Sequence, residues 1–113
     1  MIIFEPSSRG SVLKDFDKRD YKYIDSVTLN LGIMTQSLAD TAYIRLYNFT
    51  DGVEIANAQI KGYTKDALQY VEFNSNNILN SLPDKRITLV VQINSSSGKI
   101  ANGLAPYLKL RRN

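Results

Sequence analysis

The sequence predicts an all-β domain, a sandwich or barrel of short strands, and three observations point there. From residue 21 onward apolar side chains recur with a period of two rather than 3.6. Clusters of Asn, Asp, Ser and Gly separate the alternating runs, as turns between strands require. Six or so such runs follow one another within 113 residues, the spacing of a sandwich or barrel. A chain of 12.7 kDa folds from roughly 18,000 Å² of accessible surface to roughly 6,200 Å². One core in one domain is therefore expected without covalent staples.

Taken in order, Tyr21, Tyr23, Val27, Leu29, Leu31 and Ile33 hold odd positions, with Lys22, Ser26, Thr28 and Asn30 between them. Ile24-Asp25 breaks this alternation, which predicts a bulge or a strand start there. Residues 35–40 read as a polar loop. Ala42, Ile44 and Leu46 form the next inward row, leaving Tyr43, Arg45 and Tyr47 on the other face, and Asn48-Phe49-Thr50-Asp51-Gly52 supplies hairpin chemistry because glycine accepts positive φ. Val53, Ile55 and Ile60 continue this segment to Lys61-Gly62.

Leu68, Tyr70, Val71 and Phe73 predict a further strand, ended by Asn74-Ser75-Asn76-Asn77. Residues 78–85 contain a proline and several polar side chains, and are expected to form an irregular plug with two or three buried residues. Ile87, Leu89, Val91 and Ile93 alternate most clearly, with a turn at 94–98 after them. The last strand is placed at Ala105 to Leu110, with Leu108 and Leu110 inward and Lys109 and Arg111 outward.

Residues 1–20 read differently. Lys14-Asp15-Phe16-Asp17-Lys18-Arg19-Asp20 sets six charges around one phenylalanine, and the apolar residues Ile2, Ile3, Phe4, Val12, Leu13 and Phe16 are scattered. An N-terminal arm or edge segment is expected over 1–20, mobile until it docks on a neighbour through Lys14, Lys18 and Arg19, with the sandwich domain over 21–113. A first edge strand with a surface loop is the alternative.

Composition excludes much chemistry. The absence of Cys and His removes disulfides, thiolate and imidazole metal sites and the usual nucleophile–base pairs, so no catalytic residue, cofactor or metal is expected. Asp15 and Asp17 are oxygen ligands of the type calcium takes, but Lys14, Lys18 and Arg19 beside them favour a solvated mixed-charge patch. Neither a glycine-rich phosphate loop nor a placed pair of carboxylates for glycosidase chemistry is present. A net charge of +3 from 14 basic and 11 acidic residues, spread along the chain, gives no focused basic stripe, and nucleic acid is not expected as a partner. No apolar run approaches a membrane span, and the first residues lack the pattern of a signal peptide, so cytosolic synthesis is expected. Most of the seven tyrosines suit sheet packing, whereas Tyr43, Arg45 and Tyr47 form an outward stripe fit for a protein, a glycan or single-stranded nucleic acid.

The segment Ala42-Tyr43-Ile44-Arg45-Leu46-Tyr47-Asn48-Phe49-Thr50-Asp51-Gly52, followed by Val53-Glu54-Ile55, resembles a hairpin of jelly-roll-like β-sandwich domains in tailed-phage structural proteins. Residues 78–83, 85–93 and 105–110 are similar to later parts of those domains, so the resemblance spans roughly residues 24 to 110. It implies an antiparallel, jelly-roll-like β-sandwich without enzymatic activity, made in the host cytoplasm and built into a virion. Capsid decoration is expected ahead of a head fibre or tail component. The implied partners are other virion proteins, a major capsid or tail protein, with self-association open. A carbohydrate-binding module that adheres to a surface glycan is the alternative, since it shares the sandwich.

Overall fold

The computed structural model describes residues 1–7, 10–35, 41–62, 70–95 and 101–112. Its strands are β1 (Ile2–Ile3), β2 (Glu5–Ser7), β3 (Gly10–Phe16), β4 (Ser26–Thr35), β5 (Ala42–Asn48), β6 (Val53–Glu54), β7 (Ile60–Gly62), β8 (Val71–Asn74), β9 (Ile87–Ser95) and β10 (Ala101–Arg111). Every pairing is antiparallel. The smaller sheet has the order β1-β10-β4-β8; the larger runs β2-β3-β9-β5, with β6 and β7 both pairing to β5. Set β2 and β6 aside and four strands, 1-10-4-8, face four, 3-9-5-7. This is the interleaved double Greek key of a jelly roll.

Alternation explains which residues fill the space between the sheets. Val27, Leu29, Leu31 and Ile33 of β4 and Leu108 of β10 meet Ala42, Ile44 and Leu46 of β5 and Ile87, Leu89 and Val91 of β9, all buried. Ile55, Ile78 and Leu82 extend the same core beyond the strands. The plug expected at 78–85 is present, with Ile78 and Leu82 buried and Leu79 half-buried against them. It begins where β8 stops. There Ser75 and Asn77 continue the pairing of β4 with side chains: Leu29 N–H donates to Ser75 Oγ at 2.9 Å and Val27 N–H to Asn77 Oδ1 at 2.9 Å. Backbone groups of β4 that a longer β8 would have bonded are thus satisfied.

The N-terminal residues are part of this architecture. β1 pairs with β10 in the smaller sheet, β2 pairs with β3 in the larger, and Phe4 between them is buried, its N–H donating to Pro106 O at 3.2 Å. The chain therefore turns the corner of the sandwich within seven residues. β3 then joins β9, and Phe16 enters the core. The sequence disguised this strand because one extra residue lies between Leu13, opposite Leu89, and Phe16, opposite Ile87. That bulge, with Asp15 at φ 57°, resets the inward parity.

Two further departures share that cause, a local left-handed residue. Tyr21 and Tyr23 lie outside β4, which starts at Ser26: Tyr23 takes φ 66°, and Tyr21 stacks on Phe16 with ring centroids 5.8 Å apart. β10 begins at Ala101, earlier than Ala105, and carries an extra residue between Leu104 and Tyr107 where Ala105 has φ 48°. The loop at 35–40, the turn at 94–98 and the residues Tyr63 and Leu68 fall wholly or partly outside the described residues.

Candidate functional site

β5 lies between β9 on one side and β6 and β7 on the other, so its outward side chains occupy the middle of the larger sheet's outer face. Its alternation places Tyr43 and Arg45 exposed and Tyr47 half-buried on that face. Register then decides their neighbours. Tyr43 stands between Lys61 of β7 and Asn94 of β9, Arg45 opposite Gln92, and Tyr47 between Glu54 and Val90. Val90 is 2% exposed although it points away from the core, and Val12 of β3 is its other neighbour.

The polar groups are held by one another. Arg45 Nε donates to Gln92 Oε1 at 2.5 Å while its guanidinium carbon lies 5.0 Å from the centre of the Tyr47 ring. Lys61 Nζ stands 5.9 Å from the centre of the Tyr43 ring, and Gln59 Nε2 donates to Glu54 Oε2 at 2.9 Å. Both cations thus rest on tyrosine faces, an arrangement that holds long side chains near one geometry and leaves their outer N–H groups for a ligand. An open groove of about 680 Å³ runs over Tyr43, Arg45, Glu54, Gln59, Lys61 and Gln92 but not Tyr47, with Ile44, Ile60 and Ile93 contributing to its lining.

The hairpin at the end of β5 anchors this face. Asn48, buried, donates from Nδ2 to Asp51 Oδ2 at 2.8 Å and accepts the Asp51 N–H on Oδ1 at 3.1 Å. Gly52 takes φ 70°, Thr50 Oγ1 accepts the Thr88 N–H at 2.9 Å, and Lys85 pairs with Asp51 at 2.7 Å. The Lys85 ammonium, followed by the Asn48 amide, holds the Asp51 carboxyl below its ordinary value. The polar residues of this hairpin therefore hold the turn together.

Of the six residues the sequence singled out, the structure gathers Tyr43, Arg45 and Tyr47 in one stripe. Lys14, Lys18 and Arg19 belong instead to the end of β3 and the 3-10 turn Lys18–Asp20. Lys14 is exposed, but Lys18 donates to Leu79 O at 3.0 Å and pairs with Asp84 at 3.5 Å. Arg19 grips Asp17 through Nη2 at 2.6 Å and Nε at 2.9 Å. This bond, with the Arg19 N–H as a further donor and burial opposing, holds the Asp17 carboxyl down at about 2. Two of the three basic groups expected to reach a partner are thus engaged within the fold. Asp15, the other carboxylate of the pair weighed for calcium, is exposed, and its backbone carbonyl accepts from Arg86 Nη1 at 3.1 Å. Among the described residues no three carboxylates gather as a metal site would require, and no helix is long and apolar enough to cross a membrane.

Sequence reasoning gave no binding role to Gln92, Asn94, Lys61, Gln59 and Glu54. The even position of Gln92, opposite in parity to Leu89, Val91 and Ile93, points to the outer face, whereas Asn94, expected to open the turn at 94–98, lies in β9. Lys61 and Gln59 carried no such signal, because β7 is three residues long. Compared with protein-family models, curated proteins and solved structures, the chain matches none of them.

Proposed function

We propose that this protein is a non-enzymatic binding subunit of a larger assembly, and that the outer face of its larger sheet, around Tyr43, Arg45 and Tyr47, docks on a neighbouring protein. The observation that carries this reading is the stripe itself: two tyrosines and an arginine, the residue types that dominate interface energies, stand side by side at the centre of an accessible sheet. The resemblance of the β5–β6 hairpin supports a tailed-phage virion as that assembly, with capsid decoration ahead of tail attachment.

The groove favours one second reading. Gln59, Gln92 and Asn94 beside Tyr43 give amide donors and acceptors next to an aromatic ring, the lining a glycan would use. Triple substitution of Tyr43, Arg45 and Tyr47 by Ala separates the two. Each truncation at a central anchor costs about 2 kcal/mol or more of binding. The variant should fold and lose binding to purified particles that lack the protein. Unchanged particle binding with lost affinity for a polysaccharide would establish the glycan reading instead.

A further inference from the structure

The opposite face, on the smaller sheet, carries a second hollow. Gly32 lies in the interior of β4, between Leu104 of β10 and Glu72 of β8. A glycine inside a strand often marks a bulge or a place where another group approaches closely. Here it belongs to a hollow of about 300 Å³ lined also by Tyr70, Glu72, Ala105 and Tyr107. The bulge of β10, with Ala105 at φ 48°, immediately precedes Tyr107 and sets its place in the register. A strained, non-glycine left-handed residue beside a hollow is the kind of feature that recurs at ligand sites.

Tyr107 and Glu72 of the hollow end a directed chain of hydrogen bonds that begins outside it. Thr28 Oγ1 donates to Asn30 Oδ1 at 2.9 Å, Asn30 Nδ2 donates to Tyr107 Oη at 3.3 Å, and Tyr107 Oη donates to Glu72 Oε1 at 2.9 Å. Asn30 is 6% exposed although it faces outward, so the Tyr107 hydroxyl is held from below. Its single proton is committed to Glu72. Among the described residues the other Glu72 oxygen, Oε2, makes no hydrogen bond and no cation pairs with Glu72. The hollow therefore offers acceptors, a negative charge and two tyrosine rings, whose faces attract cations.

We propose that this hollow accepts the cationic end of an arginine or lysine side chain from a partner protein, as a contact independent of the Tyr43–Arg45–Tyr47 face. Charge complementarity selects the occupant. An anion would meet the Glu72 carboxylate, and a neutral apolar group would leave it desolvated and unpaired. With contacts on both outer faces, one subunit bridges two neighbours.

The test is a titration of the labelled protein with Nα-acetyl-arginine amide, followed by amide chemical shifts, against Nα-acetyl-citrulline amide, the neutral isostere. Shifts should centre on Gly32, Glu72 and Tyr107, with apparent affinity about fivefold or more above that for citrulline. Glu72→Gln should reduce that preference to near unity with thermal unfolding unchanged, because Glu72 is an exposed side chain. Tyr107→Phe keeps the ring, removes the hydroxyl, and should retain the preference. No response to the arginine probe, an equal response to citrulline, or unaltered preference in Glu72→Gln would each overturn the proposal. The Tyr43, Arg45 and Tyr47 variant should titrate as the native protein does, so failure here leaves the reading of the other face standing.

Discussion

Arg19 closes on Asp17 two residues before it, with Nη2 2.6 Å from Oδ2, Nε 2.9 Å from Oδ1 and its own N–H 3.0 Å from Oδ1. The Asp17 side chain is 4% exposed and the Arg19 side chain 58%. A buried acid is thus satisfied by a neighbour that itself stays in water. This clip ties the end of β3 to the turn that leads into β4.

Because the Asp17 carboxyl is lowered in the folded state to about 2 from an ordinary 3.8, the folded state binds its proton less readily than the unfolded one. Its stabilisation is complete above about pH 4 and disappears as pH falls toward 2. Thermal unfolding followed between pH 7 and pH 2 should show that loss. In Asp17→Asn the melting temperature at pH 7 should fall and its decline below pH 4 should become shallower.

Gly10 should not tolerate a side chain. It sits at φ 119°, and a Cβ there would stand 2.3 Å from the carbonyl oxygen of Val91, a backbone atom of the central strand β9. Gly10→Ala must strain the left-handed backbone and push β3 from β9, at a cost of about 1 to 3 kcal/mol or more. Denaturant unfolding should give a lower midpoint with an unchanged slope.

Residues 1–20 should be indispensable for folding. Phe4 and Phe16 are each 4% exposed within the core, and β3 covers one edge of β9. Phe4→Ala or Phe16→Ala should cost about 3 to 5 kcal/mol apiece. Deleting residues 1–20 should abolish the cooperative thermal transition. A truncated chain that melts like the full one would show that β3 contributes little.

Ser75→Ala tests the side-chain continuation of β8. Ser75 Oγ accepts the buried Leu29 N–H and donates to Asn76 O at 2.7 Å. Without the hydroxyl that N–H loses its partner, at a cost of about 1 to 3 kcal/mol. Hydrogen exchange at the Leu29 amide should accelerate more than at Leu31, which β8 bonds through its backbone register.

The amino-acid sequence by itself determined which face most strand residues take, because alternation is a local property of an extended chain. Tyr43, Arg45 and Tyr47 were legible as outward from Ala42, Ile44 and Leu46 alone, and the turn after them from Asn48, Asp51 and Gly52, whose bonds close within a few residues. Tertiary structure decided what alternation does not encode. The extra residues at Asp15 and Ala105 flip parity without leaving a pattern, which hid β3 and the true start of β10. Tyr47 meets Glu54 across a local hairpin, but other neighbours came from pairings across long stretches of chain, Arg45 with Gln92 and Gly32 with Leu104, which only closure of the jelly roll brings about. Both proposed contact faces are products of that closure: side-chain direction is set residue by residue, but a site needs groups that meet only when distant strands pair.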